Sequence, residues 1–166
     1  MKTIHNKVAA LLMAIMTLSS NTVGITANAS STTTEIINFS APANISHTYT
    51  ALPSDQHPIR YKDTYNSVYL QLSSATNDAY VQVWGLSDTN WNSTCHNYTC
   101  DANGNSTTSV RVNSNQERLI KNLVKEAGYN LAGLKFCSAN YTLTSKLNGA
   151  WAPDRPDNKQ NIPCAN

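Results

Sequence analysis

The sequence predicts an all-β domain, a sandwich of antiparallel strands with one short amphipathic helix near residues 115–127. Three observations carry that prediction. Charged residues make up only 13% of the chain, so much of its polar surface falls to Ser, Thr and Asn, whose side chains compete with helical hydrogen bonds and suit strands and turns. Apolar and polar residues alternate in several short runs, the period of a half-buried strand. Only one run repeats at helical spacing instead.

The domain is preceded by a segment of a different kind. Lys2 and Lys7 make a basic start, an apolar run follows over 8–18, and Ala27-Asn28-Ala29 has the small-x-small form that signal peptidases cut. That run of 11 residues is short against the roughly 20 of a membrane span. Residues 1–29 therefore read as a signal peptide, and the product as secreted and extracellular. The 137 residues that follow suit one domain with one core, expected over 30–154 with 155–166 as a polar tail. The two signal lysines account for the whole formal charge of +2. The mature chain is then balanced, with no basic stripe for nucleic acid and no later stretch of membrane length.

Within the domain, Ile36, Ile37 and Phe39 open a strand that Pro42 limits to an edge or ends. Tyr49 alternates with threonines in a short edge strand, and Pro53 and Pro58 bracket a loop holding Asp55 and His57. In the strand over 65–72, Val68, Leu70 and Leu72 face one way and Ser67, Tyr69 and Gln71 the other. Val81 and Val83 alternate likewise with Tyr80, Gln82 and Trp84 over 80–86, and turn composition between the two runs joins them as a hairpin. Gly85 marks a bulge or a close approach of another backbone. Residues 87–108 are loop-rich, with a tight turn at Asp101-Ala102-Asn103-Gly104, and Val110 and Val112 flank Arg111 in a further strand.

The helix comes next. Ser114 followed by Glu117 is a capping-box pattern, Leu119, Ile120, Leu123, Val124 and Ala127 recur at helical spacing, and Gly128 closes the turn. Its apolar face suits packing on a sheet better than lying in a membrane interface. Strand chemistry then returns: Leu134 and Phe136 alternate with Lys135 and Cys137, and Tyr141 and Leu143 with Thr142 and Thr144. Gly149 leaves room beside Trp151 before Pro153 stops pairing. Roughly six to eight short strands are expected in all.

Four cysteines in an exported domain point to two disulfides. Three connectivities are open; Cys95 with Cys100 and Cys137 with Cys164 is the favoured one, the second tying down the tail. Metal binding by Cys95, His96 and Cys100 is the weaker alternative, since adjacent Cys and His turn poorly to one ion and a fourth ligand is not evident. No metal and no cofactor is expected. His47, Asp55 and His57 lie close in sequence, but no nucleophile elbow or zinc-protease helix accompanies them, so no catalytic residue is assigned. Asp154 and Asp157 read as solvated tail charges beside Arg155 and Lys159. Trp91, in a polar loop, is the best candidate for an exposed binding ring; Trp151 is kept beside it as a binding candidate, although it and Trp84 sit in strand patterns that suit core or sheet packing better. Sequons begin at Asn38, Asn44, Asn92, Asn97, Asn105 and Asn140, little above the roughly four that such a composition yields by chance.

The run from Leu119 to Asp154, ending in Gly149-Ala150-Trp151-Ala152-Pro153-Asp154, resembles small secreted proteins of Gram-positive bacteria with a Gly-x-Trp-x-Pro-Asp-like ending, some of them bacteriocin-associated. The resemblance covers about a quarter of the mature chain and implies a small extracellular β-sandwich. This chain departs from that group by its four cysteines and by the tail beyond Pro-Asp. The function expected is binding to an extracellular peptide, glycan or cell-surface target, with a bacteriocin-like effector implied by the resemblance alone. A small secreted hydrolase using the 47–57 region, or a structural matrix component, is the alternative.

Overall fold

Alternation of buried and exposed residues translates into ten strands among the residues that the computed structural model describes, 33–45, 48–140 and 143–166. In chain order these are β1 (Ile37–Ile45), β2 (Thr50–Ala51), β3 (Ile59–Tyr61), β4 (Val68–Ala75) and β5 (Ala79–Leu86). They continue as β6 (Cys95–Asn97), β7 (Val110–Val112), β8 (Gln116–Ile120), β9 (Leu131–Ser138) and β10 (Ser145–Ala152). The expected signal peptide lies outside the described residues, as do His47 and Tyr141. The strands that were not expected are the three-residue β3 and β6 and the five-residue β8.

One sheet runs β1-β10-β4-β8 and the other runs β2-β9-β5-β6, with β3 also on β9 and β7 also on β5. Every pairing between these strands is antiparallel. Phe39, Leu70, Leu72, Leu147 and Trp151 of the first sheet meet Val81, Val83, Leu134 and Phe136 of the second in one buried cluster. The side-chain period of two thus sends one row of each strand into a shared interior. The antiparallel sandwich expected from the sequence is the architecture observed.

The expected hairpin is not formed. β4 pairs with β10 and β8, β5 pairs with β9, β6 and β7, and the short link between them carries the chain from one sheet to the other. Both strands bury complete apolar rows, and rows on facing sheets cover each other where neighbours in one sheet cannot. Tyr65 also leaves the expected strand, which begins at Val68.

The helix expected near 115–127 is not present either. Residues 116–120 are β8, paired with β4 from Leu72↔Gln116 to Val68↔Ile120. Asn115 has φ +60, outside helical geometry. The Ser114 hydroxyl accepts from Ala75 N–H at 2.9 Å instead of capping a helix, and the Glu117 carboxylate is held by Lys159. In a strand, Ile120 enters the main core while Leu119 joins Tyr69 and Ala152 on the outer side. A helix would leave the backbone of β4 unpaired along this edge. Only a single turn survives downstream, with Ala127 N–H donating to Leu123 O at 3.0 Å and Gly128, at φ +86, ending it.

The tail does not wander over the surface. Leu119 N–H donates to Pro163 O (3.0 Å), Ala165 N–H to Leu119 O (2.9 Å) and Arg111 N–H to Asn166 O (2.7 Å), so the last residues run beside the open edge of β8. Ala165 reaches the main core, and Ile162 and Cys164 cover Leu119 and Tyr69. Residues from Thr32 to Asn166 form one compact unit that includes this tail.

At Gly149 the register of β10 on β4 shifts, and a Cβ built there would stand 2.1 Å from Gln71 O and 2.8 Å from the Phe39 ring. Since backbone on one side and a core ring on the other leave no room, Gly149→Ala is expected to destabilise the domain by about 2 kcal/mol or more, lowering the melting temperature by roughly 5–10 °C. A calorimetric scan checks this.

Candidate functional site

The Pro153-Asp154 end of β10 holds a charge where water does not reach. Asp154 Oδ1 lies 2.9 Å from Lys62 Nζ, and neither side chain has exposed surface. A carboxylate so placed needs its full complement of donors. It has them: Thr64 Oγ1 (2.6 Å) and Thr64 N–H (3.3 Å) donate to Oδ1, Asp63 N–H (2.8 Å) donates to Oδ2, and the Thr33 side chain also contributes. Lys62 Nζ donates in addition to Asn66 O (2.7 Å) and Pro153 O (2.8 Å), which satisfies all three of its protons. Asp154 is therefore not a solvated tail charge. Burial acts to raise its carboxyl, but the threonine hydrogen bonds, the Lys62 ammonium and Asp63 N–H prevail and hold it below the usual carboxylate range. Burial also pulls the Lys62 ammonium below the ordinary lysine value, with Asp154 opposing it.

Two residues upstream the same joint is reinforced. Arg60 Nη1 donates to Trp151 O (3.0 Å) and Glu35 O (2.8 Å), and its guanidinium lies 5.5 Å from the centre of the Trp151 ring. Arg60 and Lys62 thus pin the chain between β3 and β4 from below, while the residues between and beyond them face solvent.

Tyr61 and Tyr65 stand out on that pinned segment, 63% and 70% exposed. Each belongs to a separate cleft at this end of the sandwich. Tyr61 shares one of about 470 Å³ with Tyr129, Asp88, Thr89 and Asn130. Tyr65 shares another of about 280 Å³ with Leu123, Lys121, Arg155 and Glu126. The Tyr129 ring is supported by Tyr98 at 5.6 Å and His96 at 6.5 Å between centroids, and Tyr98 and Tyr129 both pack on the main core. A Cβ at Gly85 would touch both phenol rings at 3.0 Å, so the close approach expected at this glycine is made by side chains.

The residues singled out from the sequence occupy other places. Trp151 is fully buried in the core and has no surface to offer a ligand. Trp91 packs on the outer face of the second sheet, where a Cβ at Gly133 would stand 2.6 Å from its ring. The Lys135 ammonium sits 3.7 Å from the centre of Trp84 and 4.8 Å from that of Trp91, so these rings anchor a loop to the sheet. Asp55, within a three-residue 3-10 helix, Ser54–Gln56, and His57, just after it, are both exposed. His47 lies outside the described residues.

The cysteines are free, and the favoured bridges are not formed. Cys95 lies opposite Leu86 in β6, whereas Cys100 lies beyond that strand, its N–H donating to Lys121 O at 2.8 Å. Cys137 lies opposite Tyr80 on the outer face of one sheet, and Cys164 packs on Leu119 and Tyr69 on the outer face of the other. The sandwich itself separates them. Cys95 and His96, as neighbours in β6, point to opposite faces, and among the described residues no three metal-ligating side chains converge.

One family model matches the chain, over residues 25–155, described as a protein of unknown function (DUF2712). The chain belongs to this family. The match takes in all ten strands and closes one residue after Asp154, so the DUF2712 stretch ends at the buried ion pair and the tail along β8 lies beyond it. No curated protein and no solved structure matches the chain. No described helix is long and apolar enough to cross a membrane.

The sequence carried a trace of this end of the molecule, in the run Tyr61-Lys62-Asp63-Thr64-Tyr65, where two tyrosines flank a lysine. Nothing in that run marks the lysine as buried. Removing either charge strands the other, so Lys62→Met or Asp154→Asn should each destabilise the domain by about 3–5 kcal/mol. Asp154 has a depressed folded-state pKa, so its contribution is complete above the ordinary value near 3.9 and is lost as pH falls through the folded value. The stability gap between wild type and Asp154→Asn should accordingly shrink below about pH 4 in denaturant titrations. A gap unchanged down to pH 2 would remove the carboxylate from that role.

Proposed function

We propose that this chain is a secreted extracellular protein that acts by binding, with the tyrosine-rich end of the sandwich as its contact surface. A glycan on a cell surface is the ligand that best suits the larger cleft. Its two phenol rings offer flat apolar faces, while Asp88, Thr89 and Asn130 offer acceptors and donors around them. That mixture matches the alternating C–H faces and hydroxyl rims of a sugar.

Tyr61 carries the reading. Its ring is largely exposed, yet its neighbours Arg60 and Lys62 are buried and hydrogen-bonded, so the ring is presented on a fixed backbone and little ordering entropy is lost on contact. An exposed aromatic on a rigid mount is the usual form of a binding anchor. The apolar run before a small-x-small site supports export, and the likeness of 149–154 to bacteriocin-associated secreted proteins supports an effector directed at neighbouring cells as the subclass.

The test is co-sedimentation of the protein with insoluble polysaccharides, chitin and purified bacterial cell walls among them. Wild type should be retained saturably. Tyr61→Ala should weaken retention by about tenfold without a change in melting temperature, since the ring adds nothing to the core. Absence of retention on every polysaccharide would remove the glycan reading, and full retention by Tyr61→Ala would move the contact surface elsewhere.

A further inference from the structure

The smaller cleft differs in chemistry from the one beside it. Lys121 and Arg155 line it together, and neither is held in an ion pair among the described residues. Both are set on fixed backbone. Lys121 O accepts from Cys100 N–H at 2.8 Å, and Arg155 N–H donates to Asn66 Oδ1 at 2.9 Å. Leu123, 37% exposed, and Tyr65 supply apolar surface in the same cleft, and Glu126 supplies one carboxylate.

We infer that this cleft takes the free carboxyl terminus of a peptide with an apolar last residue. Two cations outside any ion pair, set against the one Glu126 carboxylate, leave the cleft net positive, the complement of a carboxylate. The aromatic and aliphatic residues receive the terminal side chain, and Glu126 accepts from a peptide N–H. A volume of about 280 Å³ lies at the small end of ligand-sized cavities and suits a terminal dipeptide rather than a folded partner. A neutral sugar would leave the net positive charge of the cleft unanswered. The inference goes beyond the glycan reading and does not depend on it, because the two clefts share none of their lining residues.

The test is an NMR titration of the isotope-labelled protein with N-acetyl-leucyl-leucine and, separately, with its C-terminal amide. The free acid should give saturable shifts at Tyr65, Lys121 and Leu123, with a Kd on the order of 1 mM. The amide should bind at least about tenfold more weakly, as should the free acid to Lys121→Met. Tyr61→Ala should leave the peptide titration unchanged, so loss of the glycan reading and loss of this one are told apart. Equal affinity for acid and amide would overturn the inference, as would no saturable shift up to about 20 mM. Inorganic phosphate shifting the same residues as tightly as the peptide would show a general anion site and overturn it as well.

Discussion

The molecule turns on one buried ion pair. Lys62 leaves β3 and Asp154 leaves β10, strands of different sheets, and their contact closes the sandwich at one end. An isolated charge in that place would be untenable. The surrounding chain is therefore committed in detail: Thr64, Asp63, Asn66 and Pro153 each give a backbone or hydroxyl group to the pair. Such pairs often add little net stability over an apolar equivalent, and their value lies in admitting one arrangement. Here that arrangement sets the course of the segment carrying Tyr61 and Tyr65.

The Gly-x-Trp-x-Pro-Asp run reads, in these terms, as a single device of closure. Gly149 lets a backbone and the Phe39 ring come close, Trp151 fills the core and supports Arg60, Pro153 presents its carbonyl to Lys62, and Asp154 supplies the charge. None of these groups faces solvent. The proposed contact surface is an indirect product, since the joint underneath is buried while the adjacent Tyr61 and Tyr65 rings are left exposed. The neighbouring clefts then diverge through a few side chains alone, with Asp88 and Thr89 on one side and Lys121 and Arg155 on the other.

The strands were legible wherever one face was buried and the other polar, as at Leu70 and Leu72, Val81 and Val83, Leu134 and Phe136. Sheet membership was not, because alternation says which way a residue faces and nothing about which strand lies beside it. Leu119 and Ile120 were misleading for a physical reason: both faces of β8 are apolar at that point, one under the tail, and two adjacent buried residues mimic a helical face. Gly128 kept its left-handed turn in either reading. A lysine in a polar run and an aspartate in a polar tail look solvated, so the pair that organises the site was hidden. The tryptophans were visible as residues, but whether a ring caps a sheet or meets a ligand depends on Gly133 and Lys135 across the strand.

The position of β10 has a consequence for how the molecule is made. It is the last of the described strands, yet it lies inside its sheet between β1 and β4, so those two strands are joined only once residue 152 is in place. Its contacts with β1 close a loop of about a hundred residues, the kind of distant pairing that slows folding. The first sheet can close only when β10 pairs, and Asp154, just beyond that strand, then fastens it to the second through Lys62.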